Sequence, residues 1–285
     1  MPSTEKIRFG PAGVPTVCKG GSLEGVQTTH DLGLGAMELE FVHGARMKLE
    51  LAREIGQKAK TLGISLSAHG PYYINLLSEK PETRVASVER ILQTARILHA
   101  AGGGRAVYHP AFYGKNTPQA AGKEMLRVHR ELIAKVKEEK LSNVVLAPET
   151  SGRRAQWGEL NELLAVCAEF DTNDINPTLD FSHLHCRSGQ GVLYRKEDFG
   201  GLLDGVEKAL GKKAVQTLHI HFQSVLWGDG GERSHLPIEK KEPPFEPLAQ
   251  VLVEQGYGGT IICESPLIEA DALALQKIYR QALKR

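Results

Sequence analysis

The sequence predicts an α/β protein, a (β/α)8 TIM barrel forming a single domain over residues 1–285, on two observations. First, eight short apolar, β-branched runs alternate with helix-period segments, the rhythm of parallel βαβ units. Second, six consecutive runs end in a histidine, aspartate or glutamate, and the C-terminal ends of barrel strands are where such enzymes keep their chemistry. The rival architecture, an open doubly wound sheet, would want a glycine-rich phosphate loop after its first strand. This chain has none there.

The eight predicted strands are IRFG (7–10), AMELEFV (36–42), ISLSAH (64–69), AVYH (106–109), NVVLAPE (143–149), PTLDF (177–181), TLHIHF (217–222) and TIICE (260–264). Several are almost continuously apolar, as strands covered on both faces should be. Residues 21–34 supply the first intervening helix. In 46–63, Leu51, Ile55, Ala59 and Leu62 form one face, and Gly63 is a stop signal. In 81–102, Val85, Val88, Leu92 and Ala95 repeat that pattern, with Gly102 to Gly104 ending the run. Thr117 reads as an N-cap with Pro118 at the first helical position. Further helices fit 157–170, 199–210, 245–255 and 270–284, and no low-complexity linker divides the chain.

Bulk properties are those of an ordinary globular protein: 41% hydrophobic, 24% charged and a net charge of +1. Such a charge forecasts no nucleic-acid partner by itself. Cys18, Cys167, Cys186 and Cys263 form no CxxC pair, which suits free thiols in a reducing compartment. The opening MPSTEKIRFG carries no apolar leader, and no run reaches membrane-spanning length. The expectation is a cytoplasmic monomer that does not engage membranes.

His69 closes the third strand, His109 the fourth and Glu149 the fifth; Asp180 and His183 close the sixth, His221 the seventh and Glu264 the eighth. One histidine at a strand end is usually a hydrogen-bonded structural residue. Six successive ends of this kind form a ring once the barrel closes, and imidazole with carboxylate suits zinc or manganese. His30, His99 and His129 fall in helical segments and read as surface or packing residues. His43 follows the second strand, within reach of the site. His219 shares strand parity with His221 and should lie one layer deeper, hydrogen-bonded. His185 reads as a loop residue supporting the site, and Cys263 should point outward to the helices.

HGPYYINL (69–76), YHP (108–110), PETSG (148–152), LDFSH (179–183), IHF (220–222) and ICES (262–265) together resemble the endonuclease IV family of apurinic/apyrimidinic endonucleases, in order and spacing from about residue 60 to 270. The resemblance implies a TIM barrel with up to three zinc ions that cleaves DNA 5′ to abasic sites. A hydroxide shared between two zincs would be the nucleophile. It implies that His69 and His109 bind one zinc, that Glu149 bridges to a second held by Asp180, His221 and Glu264, and that His183 and His235 hold a third. Glu149 would be the catalytic carboxylate, and Tyr72 matches an aromatic that lies against DNA. The implied partner is DNA carrying abasic or damaged sites.

The chain departs from the family pattern in three places. The family's aspartate two positions before the last histidine is Arg233 here, with Glu232 adjacent as the substitute. FQSVLW replaces an Asn-Asp stretch after the seventh strand, and VHGARM (42–47) does not match the DNA-entering loop. Arg105, Lys115, Arg153, Arg154 and Arg187 are read as a basic rim for phosphates. The alternative function is a sugar isomerase or epimerase, in which Glu149, Asp180, His221 and Glu264 hold one or two divalent ions.

Overall fold

The computed structural model describes residues 6–284, so residues 1–5 and 285 of the expected domain lie outside the described residues. In chain order it runs β1 (Ile7–Pro11), α1 (Ser22–Asp31), β2 (Ala36–Glu40), α2 (Leu49–Leu62), β3 (Ser65–His69), α3 (Pro81–Ala100), β4 (Arg105–Tyr108), β5 (Ala111–Phe112) and α4 (Pro118–Glu138). There follow β6 (Val145–Pro148), β7 (Gln156–Trp157), α5 (Leu160–Cys167), β8 (Thr178–Asp180), α6 (Phe181–Cys186), α7 (Lys196–Leu210), α8 (Lys212–Gln216) and β9 (Leu218–His221). The chain ends with β10 (Ser224–Gly228), β11 (Gly231–Leu236), α9 (Phe245–Glu254), β12 (Gly259–Cys263) and α10 (Glu269–Ala282).

Two parallel ladders, β1-β12-β9-β8 and β2-β3-β4-β6, form the wall. Parallel bridges close both seams: Ala12 to Glu38 beside β1 and β2, and Leu146 to Ile175 and Glu149 to Thr178 beside β6 and β8. The result is the predicted eight-stranded barrel. Thr117 caps α4, its side chain accepting from Ala120 N at 3.3 Å, and Pro118 opens the helix. Gly63 ends α2 at φ 72, a left-handed conformation that suits glycine.

Three expectations shift, at Leu51, at Val85 and at the histidines after the sixth strand. The buried face of α2 is Ala52, Ile55 and Ala59 with Leu51 exposed, and Val85 of α3 is 70% exposed. The rest of each predicted face holds: Ile55 and Ala59 are buried with Leu62 packed against the core, and Leu92 and Ala95 are buried with Val88 packed beside them. His185 lies on a helix, not a loop, and His183 lies on it too, past the end of β8, because Asp180 caps α6 by accepting from His183 N at 2.7 Å. The long segment after β9 is a hairpin of β10 and β11.

Two apolar clusters between strands and helices make the core, and Cys263 lies in one of them as expected. The axis of the barrel is different. Where such barrels usually stack branched apolar residues, this one pairs Glu38 with Ser67 and Thr178 with His219 across neighbouring strands, all four buried. A polar axis therefore runs below the ring of strand ends.

Glu269 at the start of α10 ties down the loop after β1. It accepts from Thr16 N (2.9 Å), Thr16 Oγ1 (2.6 Å) and Val17 N (3.2 Å). Burial alone would raise its carboxyl, but the Thr16 and Val17 bonds hold it below the usual range. A lowered native pKa gives stability above the ordinary glutamate range that is lost as pH falls through the native value. Glu269→Gln should therefore cost about 1–2 kcal/mol in urea unfolding at pH 7, and the gap should close in acid.

Candidate metal centre

Closure of the barrel gathers the predicted residues around Glu149, one position beyond β6 and fully buried. His69 Nε2 lies 3.1 Å and His109 Nε2 3.4 Å from Glu149 Oε2, while His221 Nδ1 lies 3.2 Å from Oε1. His221 Nδ1 is also 3.3 Å from Glu264 Oε1, and Asp180 belongs to the same group of donors. His69, His109 and Glu149 form one set whose donor atoms all lie within 4.8 Å; Glu149, Asp180, His221 and Glu264 form a second.

These spacings fit a tetrahedral ion: bonds of about 2.0–2.1 Å put neighbouring donors about 3.3 Å apart. The ring hydrogen bonds also fit. His69 Nδ1 donates to Gly70 O at 2.8 Å, which turns Nε2 toward Glu149 Oε2, 3.1 Å away, where an ion would take the place of its proton. His235 Nδ1 likewise donates to Glu264 O at 3.0 Å. A backbone carbonyl on one ring nitrogen leaves the other as a lone-pair donor, the usual arrangement of a ligating histidine.

The third set is His183, Glu232 and His235. Glu232 lies 3.5 Å from His183 Nε2 through Oε2 and 3.4 Å from His235 Nε2 through Oε1. Its place depends on a β-bulge. Ser234 pairs with Leu226, yet Glu232 pairs with Trp227, so Arg233 is an extra residue in β11. That insertion turns Glu232, rather than residue 233, to the side of His235. Gly152 makes room, since a Cβ there would come within 2.7 Å of His183 Cδ2 and 2.9 Å of Glu232 Cβ.

Two acids on β2 escaped the sequence reading. Glu38 is fully buried; it accepts from His219 Nε2 at 2.8 Å, and its Oε1 lies 2.9 Å from His221 Nε2, out of line for a hydrogen bond. His219 thus sits a layer down, hydrogen-bonded, as its parity indicated. Glu40 lines the pocket above, and its Oε1 is buried with no hydrogen-bond partner. Glutamates at alternate positions of an apolar strand were the signal for both. Gln223 is a further missed residue, donating to Asp180 Oδ2 at 2.8 Å.

A pocket of about 200 Å³ opens over the ring, with Tyr72 on its rim at 58% exposure. His43 is exposed and meets the Tyr72 ring edge-on instead of entering the site. His185 stands apart from the three sets: Leu193 N donates to its Nδ1, so Nε2 carries the proton and donates to Glu242 at 3.1 Å. The expected basic rim dissolves. Arg105 begins β4 and so lies at the opposite end of the barrel. Lys115 pairs with Glu79, Arg187 donates to the carbonyls of Ser151, Arg153 and Gln156, and Arg154 donates to Arg187 O. Arg153 is left near the site, 3.8 Å from Glu232.

Electrostatically the cluster pulls hard on cations. Burial opposes charge on Glu149, yet His109 and His221 hold its carboxyl well below the usual range. Against burial, Glu149 lifts His69 to about 10, and Glu232 lifts His235 to about 9. His109, dominated by burial, is pushed down to about 4, so its ring is neutral at pH 7. Burial also pushes Glu40 up to about 8. A site that draws protons so strongly offers the same lone pairs to a divalent ion.

The sequence profile of a family described as xylose isomerase-like TIM barrel matches residues 26–284. The chain belongs to this family. It is 37% identical over 273 residues to uncharacterized protein MJ0133 of Methanocaldococcus jannaschii, covering 96% of this chain and 97% of that one. It is 27% identical over 216 residues to the probable endonuclease 4 of Bacillus subtilis, covering 74% and 70%. Endonuclease IV from Thermus thermophilus superposes with a TM-score of 0.72 at 22% identity over 97% of this chain and 99% of that one. Another barrel, D-psicose 3-epimerase from Clostridium cellulolyticum, gives 0.67 at 16% identity over 96% and 99%. The endonuclease IV resemblance read from the motifs thus recurs in both comparisons. Within the xylose isomerase-like family, the structural likenesses at these identities speak for the fold.

Glu38→Gln keeps the volume but removes the charge behind His219 and His221. Zinc affinity should fall about tenfold, read by chelator competition, with an unchanged far-UV circular dichroism spectrum. Glu232→Ala should lower the zinc bound at saturation by one ion, measured by atomic emission on dialysed protein.

Proposed function

We propose that this protein is a metal-dependent phosphodiesterase of the endonuclease IV type, cutting DNA at abasic sites. The observation that carries the reading is the sharing of Glu149 between two donor sets, with a third set alongside. His69, His109 and Glu149 would hold one zinc; Glu149, Asp180, His221 and Glu264 a second; His183, His235 and Glu232 a third. Zinc bound there would act as a Lewis acid on phosphoryl oxygens and make water nucleophilic near neutral pH.

The chain's own residues supply position. Glu149 fixes the spacing between the first two sets through its two oxygens. Gln223 and the cap of α6 fix Asp180 from two sides. His109 offers a neutral ring at working pH. Tyr72 presents an exposed ring at the rim, suited to stacking on a base or sugar beside the cut. The polypeptide adds few cations at the rim, so attraction for the phosphodiester rests mainly on the site's own charge.

The second reading, a sugar isomerase or epimerase, draws on the four-residue set Glu149, Asp180, His221 and Glu264 and on the extra carboxylates Glu38 and Glu40. Under it, His69, His109 and His235 bind substrate. Metal stoichiometry separates the two: about three zincs for the phosphodiesterase, one manganese or cobalt for the isomerase.

The deciding experiment incubates zinc-loaded protein with a duplex containing one abasic site, beside Glu149→Gln. Cleavage 5′ to the site should appear with the wild type and fall at least 100-fold in the variant. No cutting across zinc, manganese and salt ranges sinks the nuclease reading, and full activity with full metal content in the variant removes Glu149 from its role.

A further inference from the structure

The barrel has a second mouth at the N-terminal ends of its strands, and its chemistry is unlike that of the first. A pocket of about 310 Å³ is lined there by Lys6, Arg8 and Arg105, with Ser67, Thr217 and His219 among the other lining residues. Among the described residues, its wall has three cationic side chains, those of Lys6, Arg8 and Arg105, and no carboxylate. Lys6 Nζ donates to Gly256 O at 3.0 Å and Arg8 Nη1 to Gly63 O at 3.4 Å. Arg105 Nη2 donates to Thr217 O and, at 3.2 Å, to Thr217 Oγ1. All of these acceptors are neutral.

Two polar groups in this wall have no partner among the described residues. Arg105 Nη1 and Ser67 Oγ are both buried without a hydrogen bond, and Ser67 is only 4% exposed. They are neighbours, since Ser67 and Arg105 are paired across β3 and β4. The Arg105 Nη1 arm thus points into the wall with neither a hydrogen-bond acceptor nor an anion beside it among the described residues, an arrangement that natural interiors avoid. Burial pushes this guanidinium down to about 10.

We propose that the N-terminal mouth binds a phosphate-type oxyanion, held by Arg105 and Ser67 within and by Lys6 and Arg8 at the entrance. The volume leaves room for a small group attached to the oxyanion, so free phosphate and a small phosphomonoester are its two sources. The site is separate from the metal centre. Arg105 opens β4 and His109 follows its end, about 13 Å away at the strand rise. The inner wall includes His219, held by Glu38, so the pocket backs onto the pair that lies behind His221.

The test titrates inorganic phosphate and glycerol 3-phosphate into zinc-loaded protein by calorimetry, against chloride at matched ionic strength. Lys6 and Arg8 are exposed, so a Lys6→Gln, Arg8→Gln double variant should keep its melting temperature in chloride and its zinc content, while binding either probe at least fivefold more weakly. Arg105→Gln should lose the site if it folds, and Glu149→Gln should retain it. Tighter binding of glycerol 3-phosphate assigns the mouth to phosphomonoesters; equal binding assigns it to free phosphate. The proposal is overturned if neither probe binds, if the double variant binds as the wild type does, or if Glu149→Gln alone abolishes binding, which would place the anion on the metal centre.

Discussion

A carboxylate with no exposed surface has to be compensated by what surrounds it, and Glu149 is compensated by histidines drawn from four different parts of the chain. His69, His109, His183 and His221 all approach its two oxygens within 3.4 Å. Those four residues are brought in by β3, the loop after β4, α6 and β9, so their meeting requires a closed wall and a correct register in every strand pair. A slip of one residue in β9 would replace His221 by an outward-facing neighbour. The centre and the barrel are therefore specified together.

That coupling explains which features were legible beforehand. Short apolar, β-branched runs alternating with helix-period segments marked all eight barrel strands, and ligand-type residues at six of their ends marked the ring. The residues that escaped did so for local reasons. Glu38 and Glu40 sit inside a strand, where an acid reads as an exposed face unless the interior is known to be polar. The helix at 181–186 is too short to show periodicity, and only its Asp180 cap betrays it. Arg105 was counted with the rim although it precedes the predicted strand at 106–109, and β4 indeed begins at it, at the other end of the barrel. Leu51 and Val85 were assigned to the buried faces of α2 and α3 because an apolar residue exposed near the edge of a helix face cannot be told from a core one by period alone.

Fold and donor chemistry separate the functional readings differently. Endonucleases and epimerases share this barrel, so the architecture is neutral between them. The donor sets are more discriminating. A single-ion enzyme needs one set, whereas here His183, Glu232 and His235 form a set to one side of the four-residue group. Glu38 and Glu40 weigh the other way, since each added carboxylate offsets positive charge that a phosphodiester would otherwise meet.

The bulge at Arg233 shows how a ligand set can outlive its own spelling. One inserted residue in β11 moves the acidic partner of His235 from two positions upstream to three, while both side chains keep their shared direction. Searches keyed to a fixed interval between acid and histidine will pass over such chains, and comparison of hairpin registers is the better way to find their relatives.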